Sequence, residues 1–226
     1  MAGAWGAFGK IPTMGDFLRV DVPAGFVEAW DTWLQGCMLS ARRDLGARWQ
    51  ECYFSAPIWR FTLSQGLAGK LPVIGVLVPS VDRVGRHFPL TLMAPLTQGA
   101  PVILTHLTAD ATFTRLEELA LEVLERDIDR TQLAHRMAAL PRMSPPRAAV
   151  MASAGPGLTM IAPPHRAAGA DLASALLDAR LRQPTLWSSL LADGTRLMVA
   201  EGLPRDTQTT GLFDLSAPVW SGAARS

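Results

Sequence analysis

Lysine is nearly missing from this sequence. Lys10 and Lys70 are the only two, and arginine supplies almost all of the positive charge. Arginine is the better residue for fixed, bidentate pairing, although a GC-rich genome gives the same bias. Cysteine occurs twice, as Cys37 and Cys52, and neither has a neighbour at metal-ligand spacing. Two unpaired cysteines fit a reducing compartment, where they act as small buried hydrophobes rather than as a disulfide. Net charge is also lacking: 21 basic residues face 20 acidic ones. With no Lys/Arg-rich run, there is no field to recruit nucleic acid or an anionic membrane. No apolar run approaches the ~20 residues of a membrane span. Residues 1–6 lack a basic region followed by a continuous apolar one, so no signal peptide is expected and a cytoplasmic protein is. The histidines, His87, His106, His135 and His165, are scattered without an H-x-H or H-x-x-x-H pair. No metal site is expected on that ground. The loop Gly9-Lys10-Ile11-Pro12 is not a phosphate cradle: G-x-x-x-x-G-K-[ST] is absent, and Pro12 removes a donor.

What is present is globular. Of 226 residues, 49% are hydrophobic and 18% charged, a composition that folds rather than stays disordered. A chain this long buries ~70% of its unfolded surface. The periodicity predicts a first strand over 4–8, a Gly/Pro-punctuated loop over 9–17 that packs Phe17 inward, and a long helix from Pro23 to Gly46. That helix carries Phe26, Trp30, Trp33, Leu34, Cys37, Met38, Ala41 and Leu45 at helical spacing, a core stripe whose indole N–H groups seek polar partners. Residues 49–54 fit either element. Strands are expected over 58–63, 73–78 and 90–93, with local antiparallel pairing. Thr97–Pro101 reads as a loop. Helices follow over 108–129, 130–140 and 170–182, the last with Leu172, Leu176 and Leu181. Residues 141–169 are rich in Pro, Ala and Gly and read as an irregular, mobile excursion. A hairpin turns at Asp193-Gly194, and 209–215 forms a short helix. The sum is one α/β domain over 1–226: a mixed, largely antiparallel sheet flanked by helices on both faces, in the manner of an αβα sandwich. Its core lies in about 1–140 and residues 141–226 complete the fold; the alternative is two subdomains divided near 141.

The chain is organised around residues 72–95. Two apolar runs, Val73–Val78 and Leu90–Met93, are bounded by prolines and lack clean alternation, so both are strands covered on two faces. Between them Asp82, Arg83, Arg86 and His87 place four ionisable side chains within six residues. A charged loop held by rigid strands is where function is commonly placed. Ser80, Asp82 and His87 are the residue types of a hydrolase triad, but no G-x-S-x-G elbow surrounds Ser80. Asp82 either clamps an arginine and fixes the loop, or leaves one arginine free to read a carboxylate or phosphate. Lys10, Asp16 and Arg60 are expected to converge on the same region, with Asp16 near Arg83.

Pro79-Ser80-Val81-Asp82-Arg83-Val84-Gly85-Arg86, followed by Phe88-Pro89-Leu90-Thr91, resembles the signature of the TagF/ImpM family of type VI secretion-associated accessory proteins. Gly9-Lys10-Ile11-Pro12 with Gly15-Asp16-Phe17, Trp30-Asp31 with Trp33-Leu34, and Ala56-Pro57-Ile58-Trp59-Arg60-Phe61 occur in the family's order and spacing. The resemblance covers about residues 5–96 and extends through Leu186-Trp187 and Glu201-Gly202-Leu203-Pro204. It implies a post-translational repressor of secretion. Such a protein has no cofactor and no enzymatic activity, and contacts a cytoplasmic scaffold bearing a forkhead-associated domain. Arg83, Arg86 and Trp59 are then candidate anchors, flanked by Lys10 and Asp16, with Arg60, Ser80 and Asp82 completing the motif set. The competing reading is a small-ligand binder or enzyme whose pocket is the Ser80–His87 loop; a third is a structural subunit of the apparatus. A closed pocket containing Asp82 and an unpaired arginine favours the ligand, and a flat surface with exposed aromatics favours the partner. The oligomeric state is left open.

Overall fold

The computed structural model describes residues 3–154, 157–164 and 166–222. Met1, Ala2, the Gly155-Pro156 pair, His165 and residues 223–226 lie outside the described residues. The elements in chain order begin with strands β1 (Gly6–Gly9) and β2 (Leu18–Val20), then helices α1 (Phe26–Leu45) and α2 (Trp49–Ser55). Strands β3 (Trp59–Leu63), β4 (Val73–Val78) and β5 (Leu90–Pro95) follow, then α3 (Val102–Thr108), α4 (Asp110–Glu125) and α5 (Arg130–Ala138). The chain continues through β6 (Val150–Ala154), β7 (Gly157–Ile161), α6 (Ala168–Asp178), β8 (Pro184–Leu191), β9 (Gly194–Glu201) and α7 (Thr207–Gly211).

Seven strands form one sheet in the order β2-β1-β5-β4-β3-β8-β9, antiparallel at every described pairing. β4 lies near its centre, buried along its whole length, as a strand covered on both faces must be. One face takes α1 and α2, packing Phe26, Trp30, Leu34 and Tyr53 against Phe8, Phe61 and Trp187. The other takes α4 and α5, packing Phe113, Leu116 and Leu133 against Ile74, Val76 and Leu92. A smaller cluster of Val102, Ile103 and Leu186, with Leu177 and Val199 against it, joins α3 and α6 to β8 and β9. The sheet is therefore sandwiched by helices.

α1 ends at Gly46, whose positive φ of 54° suits glycine and whose amide donates back to Arg42. The indole of Trp30 donates to Thr91 Oγ1 at 2.9 Å and that of Trp33 to the Pro204 carbonyl at 3.0 Å. Cys37 and Cys52 are free and buried, and burial pushes the Cys37 thiol up to about 12. Trp49–Ser55 resolves as a helix.

Several elements differ from expectation. The helix foreseen over 108–129 breaks at Ala109, and a further helix, α3, occupies residues 102–108. The 141–169 excursion contains a hairpin, β6–β7, that forms its own two-stranded sheet. In α6 the phase is reversed: Asp171 and Ser174 are buried, while Leu172 and Leu176 are exposed. The cause is Asp171, which accepts from Arg166 Nε and Nη2, each at 2.7 Å, and from the Ala149 amide at 2.8 Å, and so turns its side of the helix inward.

Candidate functional site

The loop between β4 and β5 is built on one carboxylate. Asp82 has a side chain with no exposed surface, and its Oδ2 accepts from Lys10 Nζ at 2.7 Å and from Arg86 Nε at 2.6 Å. Its Oδ1 accepts the backbone amides of Val84 at 3.1 Å and Arg86 at 2.9 Å, an Asx-type turn closed by two amides. Gly85, at φ +82°, supplies the left-handed residue that this turn requires. Burial pushes the Asp82 carboxyl up, but Lys10, the amide and guanidinium of Arg86 and the Val84 amide outweigh it and hold the group well below the ordinary carboxylate range.

The loop is stitched to the N-terminal loop as well. Arg83 N–H donates to the Met14 carbonyl at 2.9 Å, Arg86 donates to the Gly15 carbonyl, and Ser80 Oγ donates to the Lys10 carbonyl at 2.7 Å. Gly9 makes the approach possible: a Cβ there would lie 2.1 Å from the Pro89 carbonyl oxygen, and φ is +136°. Tyr53 ties α2 to the same loop. Its hydroxyl donates to the Ser80 carbonyl at 2.6 Å and accepts the Ser80 amide at 3.1 Å. Phe17, though 40% exposed, stacks on Phe8 at 5.7 Å and meets Phe88 edge-on at 4.8 Å. Lys10 lies 5.3 Å over its ring.

The expected residues therefore divide. Lys10, Ser80, Asp82 and Arg86 join in one network, of which Lys10, Ser80 and Asp82 are buried and Arg86 is exposed. Arg83 sits on the same loop with its side chain exposed and in no hydrogen bond or ion pair among the described residues. Its guanidinium runs beside the N-terminal loop, 3.6 Å from where a Cβ on Gly15 would be. Asp16 follows on that loop, exposed. Arg60 does not come to this corner. It crosses to α4, where it is bidentate to Glu117 with both bonds at 2.7 Å, reaches Asp110 at 2.5 Å and lies 5.5 Å over Phe113. Trp59 is only 2% exposed, donates to the Leu212 carbonyl at 2.8 Å and stacks on Trp220 at 5.7 Å. The expectation of Arg60 converging with Lys10 is corrected by these contacts, and Trp59, a candidate anchor, lies buried among them.

Ser80, Asp82 and His87 are not joined by any side-chain bond among the described residues. Ser80 is spent on Lys10 and Asp82 on its cations, while the His87 ring stacks on Tyr53 at 4.6 Å. Burial, and then Arg42, hold the His87 pKa below its ordinary value. A different serine and histidine do meet. Ser188 Oγ lies 2.8 Å from His106 Nε2, and His106 Nδ1 lies 3.3 Å from Thr62 Oγ1, which donates onward to the Val102 carbonyl. This order makes Nδ1 the protonated nitrogen and Nε2 the acceptor. Burial, with Arg60 adding to it, lowers the His106 pKa to about 3. All three polar side chains are buried, and the network closes on itself between β3, α3 and β8.

Beside the loop runs a groove of about 650 Å³, between the outer face of α1 and the segment 85–88, with Leu39, Arg42 and Trp49 among its lining residues. Asp82 does not line it. The sequence reading missed both this groove and Tyr53. Leu39 carried a signal, since it is a large apolar residue out of phase with the buried stripe of α1; Tyr53 lay in a stretch whose element was undecided. Among the described residues no group of three or more His, Cys, Asp or Glu side chains is placed to hold a metal ion, and no helix is long and apolar enough to cross a membrane.

Comparison with known proteins follows the same corner. A search of curated proteins returned no match. Among solved structures, the chain is similar to PA0076 from Pseudomonas aeruginosa PAO1, whose crystal structure is at 2.05 Å resolution. The two are 31% identical, with a TM-score of 0.78 over 95% of this chain and 96% of that one. Residues 6–140, which carry β1 through α5 and the whole Asp82 network, match the model of the TagF N-terminal domain, described as type VI secretion system-associated. The chain belongs to the TagF N-terminal domain family of type VI secretion-associated proteins.

Proposed function

We propose that this protein is a cytoplasmic repressor of type VI secretion that acts after translation, by binding a scaffold protein bearing a forkhead-associated domain, and that it performs no chemistry of its own. The observation that carries this reading is Arg83. Of the cations around Asp82, Lys10 and Arg86 are paired with it, whereas Arg83 is exposed and unpaired among the described residues. Beside it Val84 is 69% exposed. A guanidinium and an apolar side chain presented on a loop that cannot relax are what an interface anchor needs, because little ordering entropy remains to be lost on binding. Reading the loop as a catalytic pocket has less support: the Asp82 side chain has no exposed surface and does not line the groove, and Ser80 and His87 are engaged elsewhere.

The test is truncation of Arg83. The scaffold is retained on immobilised wild-type protein, retention falls at least about tenfold for Arg83→Ala, a truncated interface arginine costing roughly 1–2 kcal/mol or more, and the melting temperature of that variant is unchanged. Overproducing wild type lowers secretion, and overproducing Arg83→Ala does not. Equal retention of both proteins removes Arg83 from the interface; no retention of wild type removes the sequestration model.

A further inference from the structure

The groove beside the Asp82 loop has walls of different character. Its floor and α1 wall are apolar, with Trp49, Met38 and Leu39; the opposite wall carries Arg86 and Phe88, and Arg42 rises from α1. No aspartate or glutamate lines it. The adjoining carboxylate, Asp82, is buried and occupied by Lys10 and Arg86. Arg42 has no ion pair among the described residues and lies 5.9 Å over the Trp49 ring. Arg86 spends Nε and Nη2 on Asp82 and the Gly15 carbonyl, which leaves Nη1 with no bond among the described residues. Two arginines on opposite walls, with no acid between them, make a site of positive potential on a protein whose net charge is only +1.

The rim is apolar to an unusual degree. Leu39 is 72% exposed, Phe54 is 55% exposed and packs against His87, and Val84 adjoins Gly85 at the loop tip. Isolated exposed leucines need no explanation, but large apolar residues gathered around one concavity mark a binding surface. The Trp49 indole N–H is moreover a buried donor with no acceptor among the described residues, and leaving such a group unpaired is costly.

We infer that this groove docks an acidic segment of a protein partner, one that carries carboxylates beside a large apolar side chain. The inference rests on the protein-binding reading above and names the chemistry that the partner must present. The apolar side chain lies on Leu39, Met38 and Trp49, and the carboxylates take the free guanidinium edges of Arg42 and Arg86. A planar guanidinium matches a carboxylate, and a groove that holds Arg42 without an ion pair among the described residues disfavours segments lacking an acid. A volume of about 650 Å³ holds one side chain of the segment and its neighbours, within the few hundred to ~1,000 Å³ typical of ligand sites.

The experiment is a ¹⁵N–¹H titration of the full chain with the peptide acetyl-Gly-Glu-Leu-Glu-Gly-amide and with its Glu→Gln counterpart. The Trp49 indole signal is identified by its loss in Trp49→Phe. The acidic peptide is expected to shift that signal and the amides of Leu39 and Gly85 saturably, and to bind at least tenfold more tightly than the Gln peptide. Arg42→Glu and, independently, Leu39→Glu abolish the shifts while leaving the remaining spectrum folded. Equal binding of the two peptides, saturable shifts elsewhere on the protein, or no shift at millimolar peptide overturns the proposal. A phosphothreonine peptide that binds where the acidic one does not overturns it in favour of a phosphate reader. Adding the purified scaffold then separates the two readings. Displacement of the peptide joins them. Peptide binding without scaffold binding overturns the repressor's partner and leaves the groove standing. A scaffold that binds Arg42→Glu as well as wild type, with no peptide binding, overturns the groove alone.

Discussion

Two aspartates in this protein are held in the same way and do different work. Asp82 and Asp171 both have side chains with no exposed surface, and both accept an arginine and at least one backbone amide. Asp82 also accepts Lys10, 72 residues earlier, and so welds the β4–β5 loop to the N-terminal loop across the sheet. Asp171 takes Arg166, five residues back, and the Ala149 amide, 22 residues back. It closes the excursion on itself. Around Asp82 the aromatics Phe8, Phe17 and Phe88 pack on one another, and Tyr53 is hydrogen-bonded to Ser80. Around Asp171 the hairpin β6–β7 leaves Val150, Leu158 and Ile161 exposed, and α6 leaves Leu172 and Leu176 exposed. Long-range closure makes a rigid platform, whereas short-range closure makes a module whose loss the sheet need not feel.

The largest expected effect breaks the first of these devices. Asp82→Ala leaves the Lys10 ammonium buried without a counter-charge and the Val84 and Arg86 amides without an acceptor. Removing one partner of a buried pair is far more damaging than removing both. The melting temperature is expected to fall by on the order of 10 °C, in a single transition. Lys10→Met added to Asp82→Ala recovers part of that loss. A second transition appearing at lower temperature in Asp82→Ala, with the main one unmoved, places the Asp82 corner outside the cooperative core and breaks the contrast with Asp171.

The two corners were not equally legible in the sequence. Val73–Val78 is continuous, apolar and bounded by Pro72 and Pro79, so β4 is marked by local chemistry alone. α1 is marked by its stripe and by Gly46. The clustering of Asp82 with arginines is likewise written locally, but the choice among them is not. Arg86 pairs with Asp82 because the turn at Gly85 brings the chain back, and Arg83 points away for the same reason. Lys10 as the second cation depends on β1 pairing with β5, a contact between residues some eighty positions apart. Arg60 shows the limit: β3 alternation places it on a face, and only the packing of α4 turns that face toward Glu117 and Asp110. In α6 a local reading of Leu172 and Leu176 as the inward face fails because one charged residue, Asp171, outweighs two leucines once Arg166 and Ala149 arrive. Burying an unpaired carboxylate costs more than exposing two leucines, and burying a paired one does not. The pairing of β6 with β7 falls in a stretch that in sequence reads as linker.

A titratable group between the two regions sharpens the comparison. His106 joins β3 through Thr62 to β8 through Ser188, and so links the strands of the family domain to the C-terminal strands. Its folded pKa of about 3 lies below the ordinary value of 6.5. Between those values the unfolded chain holds a proton that the folded chain does not, so stability falls as pH falls through 6.5. At pH 5 the loss from this group is about 2 kcal/mol, at ~1.4 kcal/mol per unit. The depressed carboxylates Asp82, Asp171 and Asp214 add nothing at pH 5, since their contribution is lost only below the ordinary carboxylate value near 3.8. Urea unfolding at pH 7 and pH 5 is expected to show the loss in wild type, and the His106 share of it is expected to vanish in His106→Gln, leaving what His87, also held below its ordinary value, contributes. A slope unchanged in that variant assigns the acid sensitivity elsewhere.

The smallest global effect is expected from Asp171→Ala. Arg166 loses its carboxylate but keeps the Arg147 carbonyl, at 2.6 Å, and an exposed path to water. The Ala149 amide is released beside a hairpin with little apolar cover. The melting temperature should move by no more than about 2 °C, because the change opens a local unit rather than the sheet. Hydrogen exchange is the sensitive readout: amides of 149–152 and 158–161 lose protection by about tenfold or more, while those of β3, β4 and β5 keep theirs. Retention of the scaffold by this variant stays at the wild-type level if the Asp82 edge alone makes the contact. A variant that keeps the sheet's protection yet no longer retains the scaffold would move the interface to the exposed leucines of α6 and the hairpin, and the less rigid region would become the functional one.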